Sequence, residues 1–242
     1  MARQLFAFGA TATGWSLPRT ANSIFSMRTK AQILTELCNP GVIAVVRAPK
    51  TEMVIPLSEA LLAGGVIAIE ITMTTPNAIG AIREASTKLG SRALIGVGTV
   101  TDGDTCRAAI AAGAEFVVSP ICQSELPVIC RAANKPCCLG AVTPTEAQRA
   151  YELGADFVKL FPADNLGPAY IKALRAPLPH LKIVPTGGVD LNTIGDFFKA
   201  GCVAVGVGGS LVSAKLMQAG DWSGLTKLAA QFVEAAKKAK AN

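Results

Sequence analysis

The chain of 242 residues has a single histidine, His180. That excludes a HExxH zinc motif and any multi-histidine metal cluster. A Ser-His-Asp triad would have to use His180, which sits in PLPHLKIV just ahead of a strand, where a surface loop is expected. The seven cysteines form no CxxC pair and have no regular spacing. This argues against a disulfide framework and for mostly buried thiols in a reducing compartment. No window reaches ~18 uninterrupted apolar residues, so no transmembrane helix is expected. Aromatics are scarce, and the basic residues form no stripe interleaved with them, so nucleic-acid binding has no support. Acids are missing from residues 1–28, which carry Arg3, Arg19 and Arg28 and so half of the net charge of +6.

That first stretch, MARQLFAFGATATGWSLPRTANSIFSMR, is rich in Ser, Thr, Ala and Arg and has no sustained period. It reads as an organelle transit peptide. A plastid is the expected destination, with the mitochondrial matrix and the cytoplasm as alternatives. An unprocessed extension, or initiation at Met27, fits the same composition.

What is present over residues 29–242 is apolar substance and a repeat. Half of the whole chain is hydrophobic, enough for a sizeable core in a single domain. LAGGVIAIEI (62–71), AAGAEFVVSP (111–120), ELGADFVKLF (152–161) and KAGCVAVGVG (199–208) share one pattern. A helix-like segment ends at glycine, and a short β-branched run follows. The glycine fits a left-handed helix stop, and the run fits a strand buried on both faces of a parallel sheet. Completing the pattern gives strands at 42–47, 66–72, 93–98, 116–119, 137–140, 157–161, 182–186 and 203–207. Their starts are 20 to 27 residues apart, room for one helix and two short loops each time. Eight such units in about 210 residues predict an α/β fold, the (β/α)8 or TIM barrel. An open doubly wound sheet has the same element order, but no GxGxxG follows the first strand. An amphipathic helix over Lys30–Leu37 is placed to plug the barrel bottom, and a helix over Leu225–Lys240 packs outside.

In a TIM barrel, chemistry belongs to the C-terminal strand ends. The polar residues expected there are Arg47, Glu70, Thr72, Thr99, Ser119 with Pro120, Lys159, Thr186-Gly187-Gly188 and Gly208-Gly209-Ser210. Alternation assigns their faces. In FVKLFP, Val158 and Leu160 must face the helices, so Lys159 turns into the lumen with Phe157 and Phe161. In VIAIEIT, the isoleucines face the helices, so Glu70 turns inward with Ala68 and Thr72. A structural ion pair is the competing reading, although buried pairs stabilise poorly. Desolvation disfavours a charged amine, and a neutral amine attacks ketones to give a Schiff base, an electron sink for carbon–carbon cleavage. Glu70 would carry the proton. This chemistry needs no metal and no cofactor. PTGGV and GVGGSL close the last two strands, where such barrels bind phosphate on backbone N–H groups. Ser210 would bond phosphate and cap the next helix. Arg47 is suited to holding a carboxylate; a solvated surface arginine is the alternative.

The stretches VIAVVRA, AGGVIAIEITMTTPNA, GVGTVT, GAEFVVSP, FVKLFPA, VPTGGV and AVGVGGSLV together resemble the 2-keto-3-deoxy-6-phosphogluconate (KDPG) aldolase family, some members of which act on 4-hydroxy-2-oxoglutarate (KHG). The resemblance runs from about Ala31 to Ala236. It implies a class I aldolase that yields pyruvate and glyceraldehyde 3-phosphate in the Entner–Doudoroff pathway. Lys159 would form the Schiff base and Glu70 act as acid and base. By the same resemblance Arg47 and Thr99 bind the carboxylate end, and Pro120 and Phe161 shape the pyruvate pocket. Gly187, Gly188, Gly209 and Ser210 hold phosphate, and Thr186 lies near the substrate hydroxyls. The family also implies a homotrimer. Two departures bear on substrate preference: Thr74 stands where some members have arginine, and Leu139-Gly140 where others have Pro-Gly. A galactonate-derived epimer or an unphosphorylated keto acid are the alternative substrates. The alternative functions are an isomerase or epimerase, in which Lys159 stabilises an enolate, and a silent sugar-phosphate-binding barrel.

Overall fold

The computed structural model describes residues 28–241. The expected leader, Arg28 apart, lies outside the described residues. Arg28 itself is tied to the barrel. Its guanidinium donates to Ser91 O at 2.6 Å and Ala93 O at 3.1 Å, and pairs with Glu115 at 2.9 Å and Glu36 at 2.8 Å.

Eight strands follow in chain order: β1 (Val42–Val46), β2 (Ala68–Thr72), β3 (Leu94–Gly98), β4 (Phe116–Val118), β5 (Cys137–Ala141), β6 (Phe157–Leu160), β7 (Ile183–Pro185) and β8 (Val205–Val207). The helices are α1 (Lys30–Cys38), α2 (Val54–Ala63), α3 (Ala78–Leu89), α4 (Gly103–Ala111), α5 (Leu126–Ala132), α6 (Pro144–Glu152), α7 (Gly167–Arg175), α8 (Ile194–Lys199), α9 (Ala214–Ala219) and α10 (Trp222–Ala241). Every strand pair is parallel, in the order β7-β6-β5-β4-β3-β2-β1-β8. A bridge between Thr186 and Gly206, and a bond from Val203 N to Ile183 O at 3.1 Å, join β7 to β8 and close the ring. The strand order never reverses, so the fold is the (β/α)8 barrel and not the open sheet.

The repeated glycines stop the preceding helices as expected. Gly65, Gly113, Gly154 and Gly201 have φ of 86°, 107°, 90° and 93°, a region that side chains with a Cβ avoid. Seven of the ladders are one or two residues shorter than the sequence reading, and β5 is one residue longer. Arg47, Ser119, Phe161 and Thr186 lie just past the ends of the regular strands, where backbone is released from pairing and side chains reach the mouth.

Two apolar layers result. Ile69, Ile71, Val158 and Leu160 pack between sheet and helices. Ile43, Ala68, Leu94, Phe116, Val118, Cys138, Phe157 and Val184 fill the lumen, and Ile33 and Leu37 of α1 close it from below. The expected plug is therefore present. The capping box of Thr29 and Gln32 starts α1, and a Lys30–Asp156 pair at 2.8 Å holds it. His180 is exposed at the foot of β7, within 2.9 Å of Gln148 Oε1 and tilted against Tyr151. It stands at the end opposite to the strand C-termini.

Candidate active site

The upper lumen is lined by glycine where the lower lumen has bulk. Gly96 and Gly98 of β3, Gly140 of β5 and Gly206 of β8 stand beside larger inward residues of neighbouring strands. A methyl group on Gly98 would lie 1.9 Å from Glu70 Oε1, and one on Gly206 would lie 2.4 Å from Thr186 Oγ1. On Gly140 it would meet the Pro120 carbonyl at 2.1 Å. These missing side chains make the space in which the polar residues fold.

Glu70 and Lys159 face each other there, 2% and 4% exposed. Lys159 Nζ is 3.8 Å from Glu70 Oε1, beyond hydrogen-bond range. Among the described residues nothing hydrogen-bonds Glu70 Oε1. A pair held for stability would close this gap, because each buried charge needs its partner's hydrogen bonds. Lys159 Nζ lies 5.1 Å from the Phe161 ring centroid, and Phe161 is 39% exposed at the rim. Cys138 shares the lumen, but burial pushes its thiol far above the ordinary cysteine range. It is a neutral wall and does not compete with the amine as a nucleophile.

Arg47 continues the inward face of Ile43 and Val45, and Val45 pairs with Glu70. The arginine thus stands one layer above the carboxylate, at the mouth. Its Nε donates to Thr74 Oγ1 at 3.0 Å. Thr74, one of the two departures noted in the sequence, is thus a spatial neighbour of Arg47. Thr99 follows β3 with φ of 62°, a turn that lifts it off the strand path. Pro120 rises from β4 against Gly140, the register partner of Lys159. Thr186 is 8% exposed on the inward face of β7.

Gly187 and Gly188 have φ of 100° and 68° and turn the chain past β7. Gly209 and Ser210 are exposed beyond β8, and a Cβ on Gly208 or Gly209 would meet nothing within 4 Å. The expected capping role of Ser210 is corrected. Ser213 is the N-cap of α9, accepting from Leu216 N at 3.4 Å, because six residues, 208–213, follow β8 before that helix begins. The sequence reading also missed Asp164. A Cβ on Gly187 would lie 3.1 Å from Asp164 Oδ1, so a carboxylate borders the glycine turn on the β6 side. Its one signal was the acid directly after FPA. Gly98 was missed as well, although GVG placed two glycines on the inward face.

An amine and a carboxylate buried together in the barrel lumen, under a mouth that carries an arginine and two glycine turns, mark an enzyme site of the (β/α)8 class. The chain belongs to the KDPG and KHG aldolase family, whose model matches residues 33–228. It is similar to the 2-dehydro-3-deoxy-phosphogluconate aldolase of Pseudomonas aeruginosa, 35% identical over 212 residues covering 86% of this chain and 96% of the relative. Similarity to the KHG/KDPG aldolase of Escherichia coli K12 is 34% over 198 residues, 81% of this chain and 92% of the relative. Among solved structures it resembles a native KDPGal structure with a TM-score of 0.77 and 31% identity, covering 83% of this chain and 96% of the other. A Legionella pneumophila KDPG aldolase with pyruvate captured as a covalent carbinolamine has a TM-score of 0.74 and 29% identity, covering 82% of this chain and 97% of the other.

Proposed function

We propose that this protein is a class I aldolase, a carbon–carbon lyase, that cleaves 2-keto-3-deoxy-6-phosphogluconate to pyruvate and glyceraldehyde 3-phosphate through a Schiff base on Lys159. The observation that carries the assignment of Lys159 is the isolated pair, Nζ 3.8 Å from an otherwise unbonded Glu70 Oε1. The amine adds to the keto carbon, and loss of water gives the iminium. Glu70 takes the proton of the hydroxyl β to that carbon, directly or through one water. The bond between the α and β carbons then breaks, the electron pair enters the iminium, and the aldehyde leaves. Glu70 returns its proton to the resulting enamine, and water releases pyruvate. A gap too wide for a direct bond suits a group that must meet a substrate oxygen lying between it and the amine. KHG cleavage to pyruvate and glyoxylate uses the same steps.

Substrate roles are those that the family resemblance implies, and the positions of the residues at the mouth support them. Arg47 and Thr99 take the carboxylate, Pro120 and Phe161 shape the pyruvate end, and Thr186 meets the hydroxyls. Phosphate sits against Gly187, Gly188, Gly209 and Ser210, pushed toward the β8 side by repulsion from the Asp164 carboxylate that borders the first glycine turn. Assembly as a homotrimer and delivery to a plastid complete the reading. Light scattering and sequencing of the mature N-terminus test these two points.

The deciding experiment is borohydride reduction with pyruvate present. A covalent adduct on Lys159 is expected, with none in Lys159→Ala. Full activity of Lys159→Ala without any adduct would leave an isomerase or a binding protein as the better reading.

A further inference from the structure

Arg47 is exposed on a strand end, the setting in which a long side chain ordinarily wanders. Here three threonines of the segment ITMTTP surround it. Thr72 Oγ1 donates to Val46 O at 3.1 Å, and Thr75 Oγ1 reaches the same carbonyl at 3.5 Å. Ala48 N donates to Thr75 Oγ1 at 3.2 Å. The backbone is thus pinned on both sides of Arg47, and Thr72 and Thr75 are both buried. The third threonine holds the side chain. Thr72 and Thr74 hydroxyls are 2.8 Å apart, and Arg47 Nε is 3.0 Å from Thr74 Oγ1.

The direction of this chain is determined by counting protons. A hydroxyl has one. Thr72 spends its proton on a carbonyl, which can only accept, so Thr74 must donate to Thr72. The Thr74 oxygen is then the acceptor for Arg47 Nε. One edge of the guanidinium is fixed, and its terminal nitrogens make no other hydrogen bond among the described residues. That is the half of the fork that grips a carboxylate with two parallel bonds.

We propose that Thr72, Thr74 and Thr75 form a socket that aims Arg47 at the α-carboxylate of a keto acid before the substrate arrives. The proposal rests on the reading of Arg47 given above. An arginine side chain has ~2 kcal/mol of rotamer entropy, and fixing it in the free enzyme removes that cost from binding. The threonines are positioning residues: Thr74 touches the Arg47 side chain, and Thr72 and Thr75 hold the backbone of Val46 and Ala48 on either side of it. The socket also accounts for a carboxylate clamp on β1 in a chain with threonine at position 74.

Thr74 is exposed, so Thr74→Val tests the socket without opening the core. Steady-state cleavage and the pyruvate concentration for half-maximal borohydride trapping are measured for Thr74→Val, Thr74→Ser, Arg47→Ala and the Arg47→Ala/Thr74→Val pair. Loss of a hydrogen bond to a charged group predicts about a tenfold rise in KM and in the trapping midpoint for Thr74→Val. Since the carboxylate is held equally in ground and transition states, kcat should stay within about twofold. Thr74→Ser should restore both values. Arg47→Ala should raise KM further, and adding Thr74→Val to it should change nothing more. A raised KM in Arg47→Ala with a normal one in Thr74→Val overturns the socket alone. An equal effect of Thr74→Val with and without Arg47 also overturns it. A normal KM in Arg47→Ala overturns the carboxylate role and the socket with it.

Discussion

At the scale of single residues, the site depends as much on absent side chains as on present ones. Glu70 occupies the space that a Cβ on Gly98 would take, so its carboxylate position is set by the neighbouring strand. Glu70→Gln keeps the shape and removes the proton carrier, so turnover should fall by about 10²–10⁴-fold while borohydride still traps pyruvate. Gly98→Ala should give a similar loss with Glu70 intact, because the added methyl displaces the carboxylate. Both are read by comparing kcat with trapping yield. Unchanged turnover in Gly98→Ala would mean that the observed Glu70 position is not the working one. Lys159 and Glu70 were legible in the sequence because a period of two residues fixes which face each occupies. Gly98 was visible but its use was not, since a glycine's neighbour across a ladder depends on register. The threonine socket was hidden for the same reason: it needs Val45 opposite Glu70, which no pattern within either strand dictates.

At the scale of elements, each helix delivers the next strand, and its ends carry stabilising contacts away from the chemistry. The start of α6 is the clearest case. Thr143 Oγ1 accepts from Glu146 N at 3.3 Å, and Glu146 Oε2 accepts from Val142 N at 3.0 Å and Thr143 N at 2.8 Å, with Pro144 opening the helix. Thr143→Ala should cost about 1 kcal/mol in urea unfolding. The same backbone bonds hold the Glu146 carboxyl below the ordinary glutamate range. A depressed folded value means that its stabilising effect is complete above the unfolded pKa and fades as pH falls through the folded one. Glu146→Gln should therefore lower stability by the same amount at neutral and alkaline pH and flatten its acid-side decline. An equally steep acid limb in the variant would show that these bonds carry no linkage. Four strands were legible because glycine stops recur before apolar runs, and the other four because they fill the gaps at an even spacing. Strand ends were less so, because pairing stops where a neighbour ends, and that is a property of two chain segments.

At the scale of the whole molecule, closure itself was not written in any local pattern. An open sheet and a barrel share one element order, and what separates them is closure: β1 pairs with β8, the link between the strands farthest apart in sequence, and a bridge joins β8 to β7. Closure divides the barrel into a floor for stability and a mouth for chemistry. Leu37 and Ile33 of α1 seal the floor against Phe116, Phe157 and Val184, and Lys240 near the end of α10 reaches Cys38 O and Val203 O across it. Leu37 is buried under the same lumen that holds Lys159 at its upper end. Removing bulk from the floor leaves a cavity, so Leu37→Ala should cost about 2–5 kcal/mol. For a domain of this size that lowers Tm by roughly 4–20 °C. KM and kcat at temperatures well below melting should stay near the parent values, because Leu37 lies at the floor of the lumen and the reacting groups at its upper end. Calorimetry paired with steady-state kinetics measures both quantities on one preparation. A loss of kcat with Tm unchanged would place α1 in the catalytic machinery and contradict the division of floor from mouth.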